Sequence, residues 1–454
     1  MSHNNSLEDI LSSIREYVTT RESPTQKKEW VNYSGPHMDS EEYVEAIRCL
    51  LGDWLVFGEN CRKFEKEFPV HLGKEHGILT NSGSSANLLM TYALLSKTKM
   101  PSKYRLNKGD KFITPTVCFP TTLNPLLQLG FEPVFVDVDI PSLNINLDQV
   151  EEILEKDVDR EIKGLIFAHV LGNPPNMNRV MQIVEKYNLV FLEDACDALG
   201  STFEGRALGS FGHMSSCSFY PAHHMTLGEG GFVATNDYAI HKTLASLRDW
   251  GRACYCNEKR PGNVVSQTAC GNRFRCWFPS EEDLIYDHRY VFDEVGFNLK
   301  PLDIQGAIGL QQLKKLPQME AARRSNFKTL LEVFKPYEEF LMLPQATHGS
   351  DPSWFAFMPL VKDNPLFTKN DIVSHLEAHK IQTRPYFTGQ VLYHPAYRNL
   401  GLHEPYGNLK ERFPNAHLAT TSSFLVGTYI GIDDRKMNQI QVAVDSFFSS
   451  VRSR

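Results

Sequence analysis

The sequence has no run of 18 or more apolar residues, so no segment predicts a membrane-spanning helix. It also has no excess of basic charge, because 47 Lys and Arg residues against 54 Asp and Glu residues give a net charge of −7. This balance disfavours a protein that binds nucleic acid through broad electrostatic attraction. Repeats and low-complexity tracts are absent, and 29 Gly with 25 Pro is an ordinary share for a globular chain of 454 residues.

Cysteine is scarce as well, with nine residues in the whole chain. The number is odd, and the polar, acidic N-terminal segment lacks the basic flank and apolar stretch of a secretory signal. We therefore expect a cytoplasmic protein in a reducing compartment rather than a disulfide scaffold. Cysteines in such a protein are buried packing residues, nucleophiles or metal ligands.

Three parts of the chain differ in their sequence pattern. Residues 1–31 predict an N-terminal extension, an amphipathic helix followed by a polar tether. Residues 32–305 predict a large domain, and residues 306–454 a smaller C-terminal α/β domain. The second boundary is placed where a long helix leads into WFAFMPLV, which we expect to be a strand, and into the helix NDIVSHLEAHK.

Short apolar segments alternate with helical ones from about residue 75 onward. HGILT, KFITP, EPVFVDVD, GLIFAHV and LVFLEDA predict strands, and SANLLMTYALLSK and NMNRVMQIVEKYN predict helices between them. Alternation of this kind predicts an α/β fold with a mostly parallel sheet covered by helices on both faces. In such folds ligands bind at the carboxyl ends of the strands.

Two polar segments fall at predicted strand ends. TNSGSSAN (Thr80–Asn87) joins a strand to a helix, and its small residues suit either a helix cap or a phosphate site. Asp194 ends LVFLED, where a carboxylate either caps the next turn or pairs with a protonated pyridine nitrogen. SFYPAHHMTLGEGGFV (Ser218–Val233) follows some 24 positions later.

Together these motifs, with GFNLKPLDIQGAIG (Gly296–Gly309) downstream, resemble the DegT/DnrJ/EryC1/StrS group of sugar aminotransferases. The resemblance covers roughly residues 35–450 and keeps the motif order. It implies the pyridoxal-phosphate-dependent transferase fold of the aspartate aminotransferase type (type I). It also implies activity on nucleotide-linked keto sugars.

One position departs from the aminotransferase pattern. The residue six positions before Glu229 is the cofactor-binding lysine in that group, and here it is His223. Imidazole cannot form a stable Schiff base, although it can transfer a proton near neutral pH. The change resembles the 3-dehydratases of the family, which use pyridoxamine 5′-phosphate, and makes His223 the expected catalytic base. The neighbouring His224 is either structural or catalytic.

Four cysteines are similar to the ligands of a [2Fe–2S] cluster in the CDP-4-keto-6-deoxyglucose 3-dehydrase subgroup. Their spacing is C-x57-C-x-C-x13-C, and the implied ligands are Cys196, Cys254, Cys256 and Cys270. The last gap is longer than in that subgroup, so Cys276 is an alternative fourth ligand. Alternatively, these cysteines are buried packing residues without a metal.

Further roles carry over from the resemblance one residue at a time. Phe119 matches an aromatic ring stacked on the cofactor, the alternative being a core residue. Asn298 matches a residue that reaches the phosphate of the neighbouring subunit's cofactor, which implies a homodimer. Arg384 and His394 lie near the substrate or are structural. The implied phosphate site consists of Gly83, Ser84 and Ser218.

The resulting prediction is a pyridoxamine-phosphate-dependent 3-dehydratase that acts on a nucleotide-linked 4-keto-6-deoxy sugar, with the CDP-linked glucose derivative preferred. A flavin or iron–sulfur reductase is the expected electron donor through the cluster. The alternatives are a cluster-free, glutamate-dependent dehydratase similar to GDP-4-keto-6-deoxymannose 3-dehydratase, an ordinary aminotransferase, and a non-catalytic ligand-binding relative. The sequence identifies neither the nucleotide, nor the sugar stereochemistry, nor the donor protein.

Overall fold

The computed structural model describes residues 6–21, 29–254, 274–278, 280–281 and 283–453. Its α-helices are α1 (Leu7–Thr20), α2 (Ser40–Leu51), α3 (Glu59–Glu67), α4 (Gly83–Ala93), α5 (Pro120–Leu129), α6 (Leu147–Lys156), α7 (Met177–Tyr187), α8 (Tyr238–Arg248), α9 (Asp303–Phe334), α10 (Lys369–Ala378), α11 (Pro395–Arg398), α12 (Leu409–Arg412), α13 (Pro414–Ser422) and α14 (Asp434–Arg452).

The strands follow the predicted alternation with helices through the first half of the chain. They are β1 (His76–Thr80), β2 (Lys111–Pro115), β3 (Glu132–Val136), β4 (Ile162–Ala168), β5 (Val190–Asp194), β6 (Thr202–Phe203), β7 (Arg206–Ala207), β8 (Met214–Ser218), β9 (Gly231–Thr235), β10 (Phe274–Cys276), β11 (Ile285–Asp287), β12 (Leu341–Met342), β13 (Ser350–Asp351), β14 (Ala356–Phe357), β15 (Leu360–Val361) and β16 (Val426–Gly427).

Seven strands form the main sheet in the order β1-β9-β8-β5-β4-β2-β3. The pairs from β3 through β8 are parallel, whereas β9 is antiparallel to both of its neighbours. The parallel strands bring their carboxyl ends to one edge, and the loops that follow β2, β5 and β8 therefore meet there. This edge carries the residues that the sequence motifs single out.

Helices and loops cover both faces of this sheet, as predicted from its apolar strands. On β5, Leu192 packs into one core together with Ile166, while Phe191 packs into the opposite core against Phe167. Neighbouring residues of a strand point to opposite faces, so a strand that is apolar throughout is buried on both. The predicted α/β architecture with a mostly parallel sheet is confirmed.

A third core lies in the C-terminal part of the chain and includes residues of α9, α10 and α14. The long predicted helix is present as α9, with Pro317 inside it. The single strand predicted over WFAFMPLV is wrong, because the segment forms β14 and β15 with Met358 and Pro359 between them. Pro359 has no N–H to donate, and a proline therefore interrupts strand pairing at that position.

The N-terminal helix packs on α2, with Leu11 buried and Arg15 paired to Glu41 at 2.8 Å. Ser6 and Asp9 form a capping box at its start, which explains why the helix begins there. The boundaries predicted near residues 31 and 305 stay predictions. None of the helices within the described ranges has both the length and the apolarity that a membrane span requires.

Candidate active site

Asp194 ends the central strand β5 and is 3% exposed. Its Oδ2 accepts hydrogen bonds from Asn87 Nδ2 at 2.9 Å and Thr122 Oγ1 at 2.8 Å, and its Oδ1 accepts one from the Cys196 N–H at 3.1 Å. Donors from α4 and α5 thus hold a buried carboxylate in one orientation. It lies at the edge of the sheet where the parallel strands end, which we call the ligand edge. A buried carboxylate needs such partners, and a cation is a further partner that it accepts.

The glycine loop leads directly into α4, as its sequence predicts. Ser82 caps the helix by accepting a hydrogen bond from the Ser85 N–H at 3.1 Å. A Cβ added to Gly83 would lie 2.5 Å from Ser218 Cβ, so the helix start and the end of β8 approach too closely for any side chain at that position. Ser84 is exposed in the first turn. The first N–H groups of a helix attract anions, and the three predicted phosphate-site residues lie together here.

Phe119 immediately precedes α5 and leaves half of its side chain exposed. Its ring lies 6.4 Å from that of Phe387, and the preceding residue Cys118 is fully buried. An exposed aromatic ring beside a buried segment presents a flat apolar face to a ligand. Its predicted stacking role stays a prediction.

His223 lies in the loop between β8 and β9, and its side chain is 17% exposed. Its N–H donates to the Tyr220 carbonyl at 2.9 Å, and its ring lies 5.3 Å from the Phe355 ring. The neighbouring His224 is 2% exposed, and its Nε2 lies 3.3 Å from the Ser353 carbonyl. Burial holds the pKa of His224 well below its ordinary value, with the Arg323 guanidinium acting in the same direction. The His224 side chain is therefore buried in the protein, whereas the His223 side chain is partly exposed to solvent.

Two residues beside His223 were not singled out from the sequence. Asp197, three positions after Asp194, places Oδ1 3.4 Å from His223 Nδ1. Burial raises the pKa of Asp197, and the interaction with His223 opposes that rise. Arg323 of α9 is 2% exposed and donates to the carbonyls of His223 at 3.2 Å and Phe355 at 2.9 Å. The sequence could have indicated Asp197, because it is an acidic residue three positions after Asp194. It could not have indicated Arg323, because the position of Arg323 beside His223 depends on tertiary packing.

The described residues include only some of the candidate cluster cysteines. Cys196 is partly buried beside Asp194, and burial raises the pKa of its thiol well above the ordinary value, with Asp194 adding to the rise. Cys254 Sγ lies 3.9 Å from His288 Nε2, and Cys276 is exposed on β10. Cys256 and Cys270 lie outside the described residues. Within the described part of the chain, no three His, Cys, Asp or Glu side chains are grouped so that they could hold a metal ion.

Asn298 is exposed and forms a backbone bridge with Asp249. The next residue, Leu299, accepts a hydrogen bond from the Asn81 N–H at 2.9 Å, which places this segment beside the glycine loop. Of the two residues near the small domain, Arg384 stacks over the Tyr33 ring at 4.5 Å, and His394 hydrogen bonds to the Thr388 carbonyl at 2.8 Å. The reach of Asn298 into a second subunit stays a prediction.

The fold is that of the pyridoxal-phosphate-dependent transferases. A solved Escherichia coli GDP-4-keto-6-deoxy-D-mannose-3-dehydratase with bound hydrated pyridoxal phosphate superimposes with a TM-score of 0.75 at 30% identity, covering 91% of this chain and all of the other. Residues 36–445 match the DegT/DnrJ/EryC1/StrS aminotransferase family, and the chain belongs to that family.

Two curated relatives align over nearly the whole chain. A dTDP-4-dehydro-2,6-dideoxy-D-glucose 3-dehydratase of Saccharopolyspora spinosa is 38% identical, across 96% of this chain and 91% of its own length. The lipopolysaccharide biosynthesis protein RfbH of Salmonella typhimurium (strain LT2) is also 38% identical, across 99% of both chains. The family predicted from the sequence motifs is therefore confirmed.

Proposed function

We propose that this protein is a pyridoxamine-phosphate-dependent 3-dehydratase of a nucleotide-linked 4-keto-6-deoxy sugar. The observation that carries the proposal is His223, a partly exposed imidazole where sugar aminotransferases of the family have the cofactor-binding lysine. A site without that lysine cannot bind the cofactor covalently, but it retains a group that accepts and donates protons.

The residues at the ends of β5 and β8 and at the starts of α4 and α5 fit pyridoxamine or pyridoxal phosphate. The Asp194 carboxylate is held by two side-chain donors and one backbone donor and is suited to a protonated ring nitrogen. The half-exposed Phe119 ring is suited to cover the face of a flat ring. At the start of α4, Gly83 lies close to Ser218, and the first N–H groups of a helix are suited to a phosphate. We assign the cofactor to these residues.

Each residue then has a separate chemical task. When bound, pyridoxamine phosphate supplies an amine that condenses with the C4 ketone and a ring that spreads the negative charge developing at its C4′ carbon. His223 would take up the proton released at that carbon and could deliver it to the C3 hydroxyl, which would leave as water. Asp194 keeps the ring nitrogen protonated. Phe119 excludes water from one face of the ring.

The proposed substrate class is supported by the names of the relatives. The Saccharopolyspora enzyme is named a 3-dehydratase of a dTDP-linked sugar, and the solved Escherichia coli enzyme is one of a GDP-linked sugar. Arg384, exposed and stacked on Tyr33, is a cation available to a nucleotide diphosphate. Within this class we retain the CDP-linked 4-keto-6-deoxyglucose as the preferred substrate.

Turnover with a panel of sugars tests the proposal. Protein loaded with pyridoxamine phosphate is incubated with CDP-, GDP- and dTDP-linked 4-keto-6-deoxy sugars, and the products are identified by mass spectrometry. We expect a released 3-deoxy sugar with at least one nucleotide. It is lighter than the substrate by one oxygen, because the loss of the C3 hydroxyl is coupled to conversion of the cofactor amine to the aldehyde and ammonia. A product that gains an amino group would make the protein an aminotransferase, and binding without any conversion would favour the non-catalytic alternative.

We further propose a [2Fe–2S] cluster on Cys196, Cys254, Cys256 and Cys270, reduced by a separate flavin or iron–sulfur protein. Its support is the family resemblance and the place of Cys196, two positions after Asp194 at the ligand edge. Two of the four candidate ligands lie outside the described residues, and no catalytic step is assigned to the cluster. Iron and acid-labile sulfide in anaerobically prepared protein test the cluster.

Single Cys-to-Ser variants identify the ligands, because a hydroxyl is a far poorer iron ligand than a thiolate. We expect the Cys196, Cys254, Cys256 and Cys270 variants to lose iron, and Cys49→Ser to serve as a control that retains it. Loss of iron in Cys276→Ser but not in Cys270→Ser would move the fourth ligand to Cys276. Wild-type protein without iron would remove the cluster proposal.

The second candidate is the cluster-free, glutamate-dependent dehydratase. It is favoured by the relative from Escherichia coli O55:H7 named GDP-4-keto-6-deoxy-D-mannose 3-dehydratase, which is 33% identical across 78% of this chain. This second candidate differs from the first because glutamate, rather than a reductase, regenerates the cofactor amine. Conversion of bound pyridoxal phosphate to the amine form by glutamate, in iron-free protein, would select this candidate.

A homodimer completes the proposal. Leu50, Leu51, Trp54, Leu55 and Val56 form an exposed apolar stretch before α3. Exposed apolar patches of this kind are typical of association surfaces. The partner implied by the resemblance is a second copy of this chain, and analytical ultracentrifugation measures it directly.

A further inference from the structure

The loop after β5 carries a second acidic residue, Asp197, which belongs to neither the ring-nitrogen site nor the cluster proposal. Its side chain is 7% exposed and its Oδ1 lies 3.4 Å from His223 Nδ1. Among the described residues, neither Asp197 Oδ2 nor His223 Nδ1 has a hydrogen-bond partner. A buried carboxylate is costly unless nearby donors compensate for it. The His223 Nδ1 atom, which itself has no hydrogen-bond partner, is the ring nitrogen beside Asp197 Oδ1.

The other groups around His223 act on its backbone or its ring face. Arg323 directs its guanidinium to the carbonyls of His223 and Phe355, and the Phe355 ring packs against the imidazole. Ser34 Oγ donates to the Ala222 carbonyl at 2.6 Å and fixes the preceding residue. Asp197 is thus the acid placed at the imidazole edge itself.

We propose that Asp197 is a positioning residue that holds His223 in one tautomer, with the proton on Nδ1 and the lone pair of Nε2 free to accept a proton. A neutral imidazole has one N–H and one acceptor nitrogen, and the partner of one nitrogen determines the role of the other. An acid at Nδ1 therefore makes Nε2 the basic atom. This inference rests on the proposed role of His223 as the proton acceptor.

His224 provides an internal contrast. Its Nε2 lies beside the Ser353 carbonyl and its ring is buried, so its contacts are those of a structural histidine. No carboxylate contact to His224 is found among the described residues. The loop therefore presents one histidine with an acid at its edge and one without.

Asp197→Asn tests the inference in protein loaded with pyridoxamine phosphate. The amide can either accept from or donate to Nδ1, so the tautomer is no longer specified. We expect kcat to fall about tenfold or more, while KM changes by less than about threefold. Asp197→Glu retains the carboxylate and is expected to recover part of kcat. Ser34→Ala is the matched control, because it loosens the same loop without removing an acid.

The tautomer is measured independently of activity by NMR on protein labelled with ¹⁵N-histidine, with the His223 signals assigned by their loss in His223→Gln. The expected result is a protonated Nδ1 and an unprotonated Nε2 in the wild type and in Ser34→Ala, and averaged nitrogen shifts in Asp197→Asn. An unchanged tautomer in Asp197→Asn would overturn the inference, even if activity fell. A wild type that fixes this tautomer but dehydrates no sugar would refute the proposed function and leave the pairing intact.

Discussion

At the residue scale, the site depends on how its side chains are held in place as much as on their identity. Asp194 is fixed by Asn87, Thr122 and a backbone N–H, and His223 lies in a loop fixed by Arg323. The two groups are thus positioned by separate elements, α4 and α5 for the carboxylate and α9 for the histidine loop. Substitutions at either residue should therefore change chemistry without unfolding the chain.

His223→Lys should convert reversible cofactor binding into covalent binding, because a primary amine at this position forms a Schiff base with pyridoxal phosphate. Dehydration should fall at least about a hundredfold, since the lysine replaces the proton acceptor. Borohydride treatment followed by intact-protein mass spectrometry detects the covalent adduct, with His223→Gln as the control that forms none. Near wild-type dehydration in the lysine variant would transfer the role of base to His224.

Asp194→Asn should bind the cofactor but lose most turnover, because an amide does not hold the ring nitrogen in its protonated form. We expect kcat to fall about a hundredfold or more. Cofactor titration by absorbance and steady-state kinetics separate the two effects. Asp237→Asn is a suitable control, since Asp237 caps α8 away from the site and should change stability alone. Full turnover in Asp194→Asn would leave Asp194 as a turn cap.

At the element scale, helix starts and strand ends determine where a ligand can bind. The N-terminus of α4 meets the end of β8 at Gly83 and Ser218, with no room for a Cβ. The sequence motif indicated this position, because small residues between a strand and a helix are typical of anion sites. The same reasoning failed for WFAFMPLV, where local apolarity predicted one strand and Pro359 divides it into two.

Gly83→Ala should weaken cofactor binding about tenfold or more, since the added Cβ would lie 2.5 Å from Ser218 Cβ and separate the two elements. Fluorescence titration with pyridoxal phosphate measures the affinity. Gly52→Ala is the matched control, because there the nearest atom would lie 3.4 Å away and the residue is at the end of α2. Equal affinity in both variants would show that the phosphate does not bind at the start of α4.

At the scale of the whole molecule, the sequence was sufficient to predict the α/β fold and the family. Alternating apolar strands and amphipathic helices specify the covered parallel sheet, and Asp194 ends a strand recognisable by its composition. The contact between Asp197 and His223 could not be predicted from the sequence pattern, because it depends on how the loops after β5 and β8 pack against one another. Distances between loops from different strands are set by tertiary packing.

Mixed dimers test whether the active sites are shared between subunits. If Asn298 serves the neighbouring cofactor, a heterodimer of His223→Gln and Asn298→Ala subunits contains one intact site and one doubly defective site. Mixing the two inactive variants in equal amounts should then restore about a quarter of wild-type activity. Each variant alone is the control. No restoration in heterodimers isolated by two different affinity tags would place Asn298 in its own subunit's site.

Hydrogen exchange at the cofactor's C4′ carbon tests directly whether His223 is the proton acceptor. Protein loaded with pyridoxamine phosphate is incubated in D₂O with the nucleotide-linked 4-keto-6-deoxy sugar, and deuterium in the recovered cofactor is measured by mass spectrometry. We predict sugar-dependent exchange in the wild type and in Cys196→Ser, and none in His223→Gln. Exchange that persists in His223→Gln, or wild-type protein that produces an amino sugar instead, would contradict the assignment of a histidine-based dehydratase.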